Sequence, residues 1–231
     1  MNKYFRFILP AVAVVFLFSA SASDAAGQDI LRQILKRMDD NNKSLTSVKG
    51  NIKMNKFNAQ LGENDLTEGD ISYLPGRSEK QLFVRIDWTK PVVEHLAIAN
   101  GEYVLYRPRT KQAIVGKVDS VKGSQKTGGA LAFMSMTKAQ LSENYSVRYI
   151  GDETVGSGAK AFHLELTPKK PTSYKSAELW VDSNGMPVQA KIIEKNNDAT
   201  TVLLFNIQRN ATVKASAFKL SPPKGTAIVR G

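Results

Sequence analysis

Apolar and polar residues alternate strictly along the stretch LFVRIDWTKP, residues 82–91. Successive side chains of a β-strand point to opposite faces, so Val84, Ile86 and Trp88 share one face and the charged residues between them lie on the other. The pattern therefore predicts a β-strand with one apolar face, and that face needs a cover.

Similar short runs recur along most of the chain and predict about ten or eleven strands. Turn sequences such as Asn100-Gly101 and Asn184-Gly185 separate several of them, which is typical of antiparallel hairpins. The strands do not alternate with helices, so a parallel sheet is disfavoured. We expect a mainly β (α+β) protein built on one large, strongly curved antiparallel sheet.

Two segments have helical rather than strand periodicity. In QDILRQILKRMDD, apolar residues recur at helical spacing, with Asp29 as a candidate start and Asn41-Asn42 as a candidate end; the stripe comprises Ile30, Leu31, Ile34, Leu35 and Met38. The second segment, ALAFMSMTKAQLSENY, follows a glycine-rich stretch and is rich in methionine, which makes an adaptable apolar surface. We expect one helix at the start of the domain and one or two in the middle.

The N-terminus has the pattern of an export signal. Lys3 and Arg6 precede an apolar run from Phe7 to Phe18, and small residues follow at 20–22. A membrane anchor is the competing interpretation, but the run is short for a span of about twenty residues and contains a proline. We expect residues 1–22 to be a signal peptide, 23–231 to be a single domain, and the product to be a periplasmic, monomeric protein.

Charge and cysteine content narrow the function classes. The chain has a formal net charge of +11 and no cysteine, so no disulfide supports the fold. Nucleic acid is an improbable partner outside the cytoplasm. An anionic membrane surface, an acidic partner or simply a basic solvated surface each account for the charge.

Residues with catalytic or metal-binding potential are sparse. The two histidines, His95 and His163, lie in strand patterns without a nucleophile motif or a set of further ligands. The glycines of KGSQKTGGA do not have the spacing of a phosphate-binding loop. The sequence therefore predicts no enzymatic activity, no metal and no cofactor.

The apolar strand positions are the remaining candidates for function. A curved sheet of this length has an apolar concave face that two helices cover only in part. Two alternatives stay open on the pattern alone: the side chains fill the interior as a closed core, or they line a cavity for an apolar ligand. The candidate lining residues are Val84, Ile86, Trp88, Leu96, Ile98, Leu164, Leu179, Val181, Ile192 and Phe205.

The order of segments resembles one known family. Seven segments occur in the order found in periplasmic outer-membrane lipoprotein carriers of the LolA type. They are GNIKMNKF, EGDISYLPGR, RIDWTKP, IANGEYVLYRPRTKQA, LELTPKK, LWVDSNGMPVQAKI and FKLSPPKGTAIV. The resemblance implies an unclosed antiparallel β-barrel capped by helices, with a hollow that binds lipoprotein acyl chains. It favours the cavity over the closed core.

The resemblance also implies partners and a lid. Such carriers take lipoproteins from an ABC-type release complex in the inner membrane and pass them to an outer-membrane receptor of the same fold. That receptor is itself a lipoprotein, and no cysteine follows the signal here. Leu131, Phe133 and Met134 match the lid helix, and Arg77 is the nearest equivalent of the arginine that holds the lid closed, although the surrounding GRSEKQLF departs from the family's tighter turn.

Two alternatives share the same fold. One is a carrier of another lipid, such as a hopanoid or glycolipid. The other is an envelope protein that senses lipoproteins or lipids in stress signalling.

Overall fold

The structure is a computed structural model that describes residues 22–75, 83–117, 134 and 136–231. The predicted lid residues Leu131 and Phe133 and the predicted latch Arg77 lie outside this part of the chain.

The described strands form one twelve-stranded sheet. Their bounds are Val48–Asn58 (β1), Glu63–Leu74 (β2), Phe83–Lys90 (β3), Glu94–Ala99 (β4), Glu102–Arg107 (β5), Gln112–Lys117 (β6), Tyr145–Thr154 (β7), Lys160–Pro168 (β8), Tyr174–Val181 (β9), Pro187–Glu194 (β10), Ala199–Arg209 (β11) and Ala227–Arg230 (β12). In the described part of the chain two α-helices accompany them, Ala22–Ser44 (α1) and Lys138–Asn144 (α2), with short 3-10 turns at Pro108–Thr110 and Ala215–Phe218.

Strand order across the sheet is β12-β6-β5-β4-β3-β2-β1-β11-β10-β9-β8-β7. Sequential neighbours pair antiparallel, β1 joins the two halves by pairing with β11, and β12 adds to β6 in parallel. Within the described chain β7 and β12 are the two edges, so the sheet is open. The predicted mainly β, curved and unclosed architecture is confirmed, with one or two more strands than expected.

The hairpin at Asn100-Gly101 shows how local sequence sets this topology. Both residues have positive φ, 55° and 78°, as a two-residue turn between right-twisted strands requires. The turn places Ile98 opposite Tyr103 and Leu96 opposite Leu105, so apolar residues of β4 and β5 share a face.

Helix α1 buries most of its predicted stripe. Ile34, Leu35 and Met38 are buried and Leu31 packs against them. Two details differ from the prediction: the helix begins at Ala22, well before Asp29, and Ile30 is 38% exposed. Ile30 lies at the margin of the stripe, where an apolar side chain need not be covered.

The turn between β9 and β10 holds α1 against the sheet. A Cβ at Gly185 would lie 2.2 Å from the backbone carbonyl of Arg37, so only glycine permits this approach. The Arg37 guanidinium donates to the carbonyl of Ser183 at 3.4 Å and lies 5.6 Å from the Phe162 ring centroid. The helix therefore crosses the sheet near the start of β8 and the turn between β9 and β10.

Helix α2 begins with a capping box at Thr137. The Thr137 hydroxyl accepts from the Gln140 backbone N–H, and the Gln140 side chain accepts from the Thr137 N–H. These bonds satisfy two otherwise unpaired donors of a short helix. Its one buried residue, Leu141, packs on the same face of the sheet as α1.

Candidate functional site

The face of the sheet that carries α1 and α2 is called the inner face here. Strand β3 contributes Val84, Ile86 and Trp88 to it, all buried, as its alternation predicted. Their cross-strand partners include Ile98, which pairs with Val84, and Leu96, which pairs with Ile86. Leu96 and Ile98 are partly buried against the same cluster.

The second half of the sheet completes this inner cluster. Leu164 of β8 pairs with Leu179 of β9, and Val181 and Ile192 lie in the same cluster. The structure thus brings together nine of the ten predicted lining residues, although the strands β3 and β9 are far apart in sequence. Whether these residues bind an acyl chain stays a prediction.

Phe205 is the exception, and its placement corrects the prediction. Val202 and Leu204 of β11 join the inner cluster, whereas Leu203 and Phe205 pack on the opposite face. The prediction failed because residues 202–205 are all apolar. Without alternating polar residues, the pattern does not show which side chains of this strand point to which face.

A register shift follows directly on β11. The pairing of β1 with β11 slips between Lys49 and Asn51, and Asn206 has a φ of 52°. An irregularity of this kind changes which face the following side chains point to. Ile207, beyond it, packs against apolar residues of both faces.

Strands β1 and β2 supply inner-face residues that the sequence analysis did not name. Ile52 and Met54 of β1 and Ile71 of β2 are buried in the inner cluster, with Tyr73 packed beside them. The sequence pattern could have identified them, because these residues alternate with polar ones in NIKMN and DISY.

Helices and methionines cover the inner face. Ile34, Leu35 and Met38 of α1 and Leu141 of α2 belong to the cluster, and Met134 and Met136 pack against it. Met134 is thus the one predicted lid residue that the structure describes, and it lies where a lid would. Its role as part of a lid stays a prediction.

Tyr73 and Tyr174 at the margin of the inner face keep their protons near neutral pH. Burial raises the pKa of the Tyr73 phenol to about 12. The Tyr145 and Tyr174 hydroxyls lie 2.5 Å apart, and burial together with this contact raises the pKa of Tyr174. These tyrosines therefore add neutral hydroxyls to the apolar surface of the inner face.

Both histidines lie in the sheet with carboxylate partners. His95 Nδ1 lies 2.5 Å from Asp87 Oδ1, and His163 Nδ1 lies 2.8 Å from Glu153 Oε1. Among the described residues no group of three or more His, Cys, Asp or Glu side chains is placed to hold a metal ion.

None of the described helices combines the length and the apolar composition of a membrane-spanning segment.

Similarity to known proteins agrees with this architecture. Residues 80–221 match the family model described as "Outer membrane lipoprotein carrier protein LolA". The chain is 26% identical over 232 residues to the outer-membrane lipoprotein carrier protein of Pseudomonas fluorescens strain Pf0-1, covering 99% of each chain.

Solved structures extend the likeness to the fold. An uncharacterized conserved protein from Thermus thermophilus has a TM-score of 0.54 at 14% identity, covering 87% of this chain and 99% of its own. A chain of the Pseudomonas aeruginosa MucA/MucB complex has a TM-score of 0.50 at 14% identity, covering 82% of this chain and 60% of its own. At such identities the likeness concerns the fold alone.

Proposed function

Because this chain belongs to the LolA family of outer membrane lipoprotein carrier proteins, we propose that it carries lipoproteins by covering their acyl chains with its inner face. The observation that supports this most directly is the inner cluster itself. It is a continuous apolar surface spanning both halves of an open sheet, and it lies under helices rather than under a second sheet.

The free energy of acyl burial explains why a carrier is needed. Each methylene removed from water contributes roughly 0.8 kcal/mol, so the chains of a lipoprotein do not cross an aqueous compartment unprotected. The apolar inner cluster accepts such chains through dispersion and the hydrophobic effect. Because neither is directional, chains of different length and saturation fit the same face.

Acyl chains reach the inner face only if its cover moves. The described side chains pack on one another here, with Ile86, Leu164, Leu179 and Val181 fully buried. Apart from its apolar stripe, the described contacts of α1 with the sheet are two long hydrogen bonds, Arg37 to the Ser183 carbonyl and Asn210 to the Ser44 carbonyl, each 3.4 Å, and the Arg37–Phe162 contact. A guest chain that replaces the apolar contacts of the cover has few polar bonds to break.

The residues assigned to cargo contact are Val84, Ile86 and Trp88 of β3, with Leu96, Ile98, Leu164, Leu179, Val181 and Ile192. Leu131, Phe133 and Met134 are assigned to the lid, and Arg77 to its latch. Met134 and Met136 at the margin of the inner face support a lid, because flexible thioether side chains adapt to a face that is filled or empty.

The hydrophobic effect also accounts for the transfer of cargo from one protein to the next. We place the mature domain, residues 23–231, in the periplasm after removal of the signal peptide, residues 1–22. There it takes cargo from an ABC-type release complex of the inner membrane and gives it to an outer-membrane receptor. Release then needs only a receptor whose apolar site binds the chains more favourably, and no chemical step is involved.

Cargo capture tests the proposal. The full-length gene is expressed in a bacterium with an outer membrane, and the exported protein is purified without detergent and analysed by native mass spectrometry. We expect bound triacylated lipoproteins. Recovery of a phospholipid, hopanoid or glycolipid in their place would assign the inner face to another cargo, and recovery of protein without any lipid would contradict the carrier role.

A further inference from the structure

Three turns meet at one end of the sheet. The β3–β4 turn at 91–93 and the β5–β6 turn at 108–111 lie at the same end because the strands between them are antiparallel. The chain entering β12 reaches that end too, since the Ala227 N–H donates to the Lys111 carbonyl at 2.8 Å. Residues far apart in sequence therefore share this end.

Four exposed cations lie on these turns or directly beside them: Lys90, Arg109, Lys111 and Lys224. They are called the basic rim. Among the described residues, Arg109, Lys111 and Lys224 have no ion-pair partner within 4.0 Å. The rim is therefore a local excess of positive charge.

Two nearby acids do little to cancel this charge, because both are already paired. Glu94 accepts from Arg107 at 2.9 Å, and Glu68 pairs with Lys53 at 2.9 Å. Lys90 lies close enough to Glu68 to help lower the pKa of that carboxyl, although the hydrogen bond from Lys53 is the larger cause.

Exposed apolar side chains lie beside the rim cations. Val92 and Val93, in the turn directly after Lys90, are 42% and 46% exposed. Ile228 and Val229 of β12, a few residues after Lys224, are exposed as well. Apolar side chains beside cations combine the two contributions that bind a protein surface to an anionic membrane, buried apolar area and electrostatic attraction.

We propose that the basic rim docks on the surface of an anionic phospholipid bilayer, with Val92 and Val93 entering the headgroup region. An anionic bilayer offers a continuous field of phosphates, so it pairs with cations on three separate turns without needing a matched arrangement of acids. An acidic protein would have to match their spacing, and it would gain little from valines that project between the cations. The docking concerns an end of the sheet rather than the inner face, so it goes beyond the carrier role.

Vesicle binding by the cargo-free protein tests the proposal. Co-sedimentation is measured with vesicles of equal parts phosphatidylcholine and phosphatidylglycerol, and with phosphatidylcholine alone. We expect binding to the anionic vesicles only, weakening as salt is added because exposed charges are screened beyond about 10 Å at 0.1 M ionic strength.

Matched variants locate the surface. Each cation near an anionic membrane changes affinity roughly fivefold, so Arg109→Gln/Lys111→Gln/Lys224→Gln should weaken binding on the order of a hundredfold. The control Lys49→Gln/Lys160→Gln/Lys214→Gln removes the same charge from exposed positions at the opposite end of the sheet and should have a much smaller effect. Val92→Ser/Val93→Ser should weaken binding several-fold.

Equal binding to neutral and anionic vesicles would overturn the proposal, as would an equal loss in the two triple variants. If anionic vesicles do not bind, but the rim variant alone fails to accept lipoprotein from inner-membrane preparations, the rim serves an acidic protein and the proposal is wrong. Absence of cargo in the purified protein would contradict the carrier role and leave the vesicle result intact, so the two failures are distinguishable.

Discussion

The two faces of strands β8 to β11 bury their side chains through different kinds of contact. On the inner face Leu164, Leu179, Val202 and Leu204 pack apolar surface against apolar surface. On the opposite face the same strands combine a small apolar cluster, called the outer cluster, with a network of ionisable side chains. The outer cluster comprises Val155, Ala161, Trp180, Val188 and Leu203, with Phe205 and Ile207 packed against it.

The network on the opposite face centres on His163. Its ring stacks on Trp180 with centroids 4.3 Å apart, and the Trp180 indole N–H donates to Glu153 at 2.8 Å. The other carboxylate oxygen of Glu153 lies 2.8 Å from His163 Nδ1, and Lys191 donates to Glu178 at 3.3 Å. The network depends on directional bonds, and among the described residues His163 Nε2 has no hydrogen-bond partner, although it lies 3.4 Å from Glu178 Oε2.

The difference indicates which face can accept a guest. An acyl chain can replace a leucine–leucine contact at little cost, because neither contact is directional. The same chain laid over His163 and Glu153 would cut polar groups off from solvent without offering them a hydrogen bond. The inner face is therefore the exchangeable one, and the opposite face is fixed.

The largest expected effect is that of a charge on the inner face. Val84→Glu should weaken lipopeptide binding roughly a hundredfold, because an ion buried without a partner costs several kcal/mol. Ser72→Glu is the matched control, since Ser72 pairs with Arg85 on the outward side of the same two strands. Binding is measured by isothermal titration calorimetry on protein whose fold is checked by circular dichroism.

The milder Val84→Thr, which keeps the shape of valine, guards against a folding defect in the glutamate variant and should weaken binding by a smaller factor. Unchanged affinity in both Val84 variants would show that the inner face does not bind the acyl chains.

The second test uses neighbouring leucines. Leu203 and Leu204 are 7% and 6% exposed but belong to opposite faces. Each Leu→Ala change should lower the free energy of unfolding by about 2–5 kcal/mol, as measured by urea denaturation. Only Leu204→Ala should alter lipopeptide affinity. A change in affinity for Leu203→Ala alone would reverse the assignment of faces.

The smallest expected effect is on the pH dependence of folding stability. The Trp180 indole N–H, and after it His163, hold the pKa of Glu153 below its usual value near 4.3. A depressed carboxyl pKa stabilises the fold above the unfolded-state pKa, and this contribution is lost as the pH falls through the folded-state value. Since the Glu153 side chain is 47% exposed, the contribution is below about 1 kcal/mol.

We therefore expect Glu153→Gln to be less stable than the parent protein at pH 7 by urea denaturation, with the difference shrinking below about pH 4. A difference that stays constant with pH would show that the Glu153 charge makes no contribution.

The sequence predicts the parts of the fold that depend on local pattern. Alternation in β3 placed Val84, Ile86 and Trp88 on one face, and Asn100-Gly101 predicted its hairpin, because each signal lies within a few residues. Phe205 was assigned to the wrong face because an unbroken apolar run does not show which side chains point inward. The stacking of His163 on Trp180 was not predictable, since it depends on the register of β8 and β9.

The two tryptophans provide the most direct test of the central claim, because Trp88 lies on the inner face and Trp180 on the opposite face. Trp180→Phe leaves Trp88 as the sole tryptophan reporter, and Trp88→Phe leaves Trp180. Each variant is titrated with a triacylated lipopeptide while tryptophan emission is recorded. We expect a saturable change in emission from Trp88 and none from Trp180. A saturable change from Trp180 alone, or bound lipopeptide with no change from Trp88, would contradict the claim.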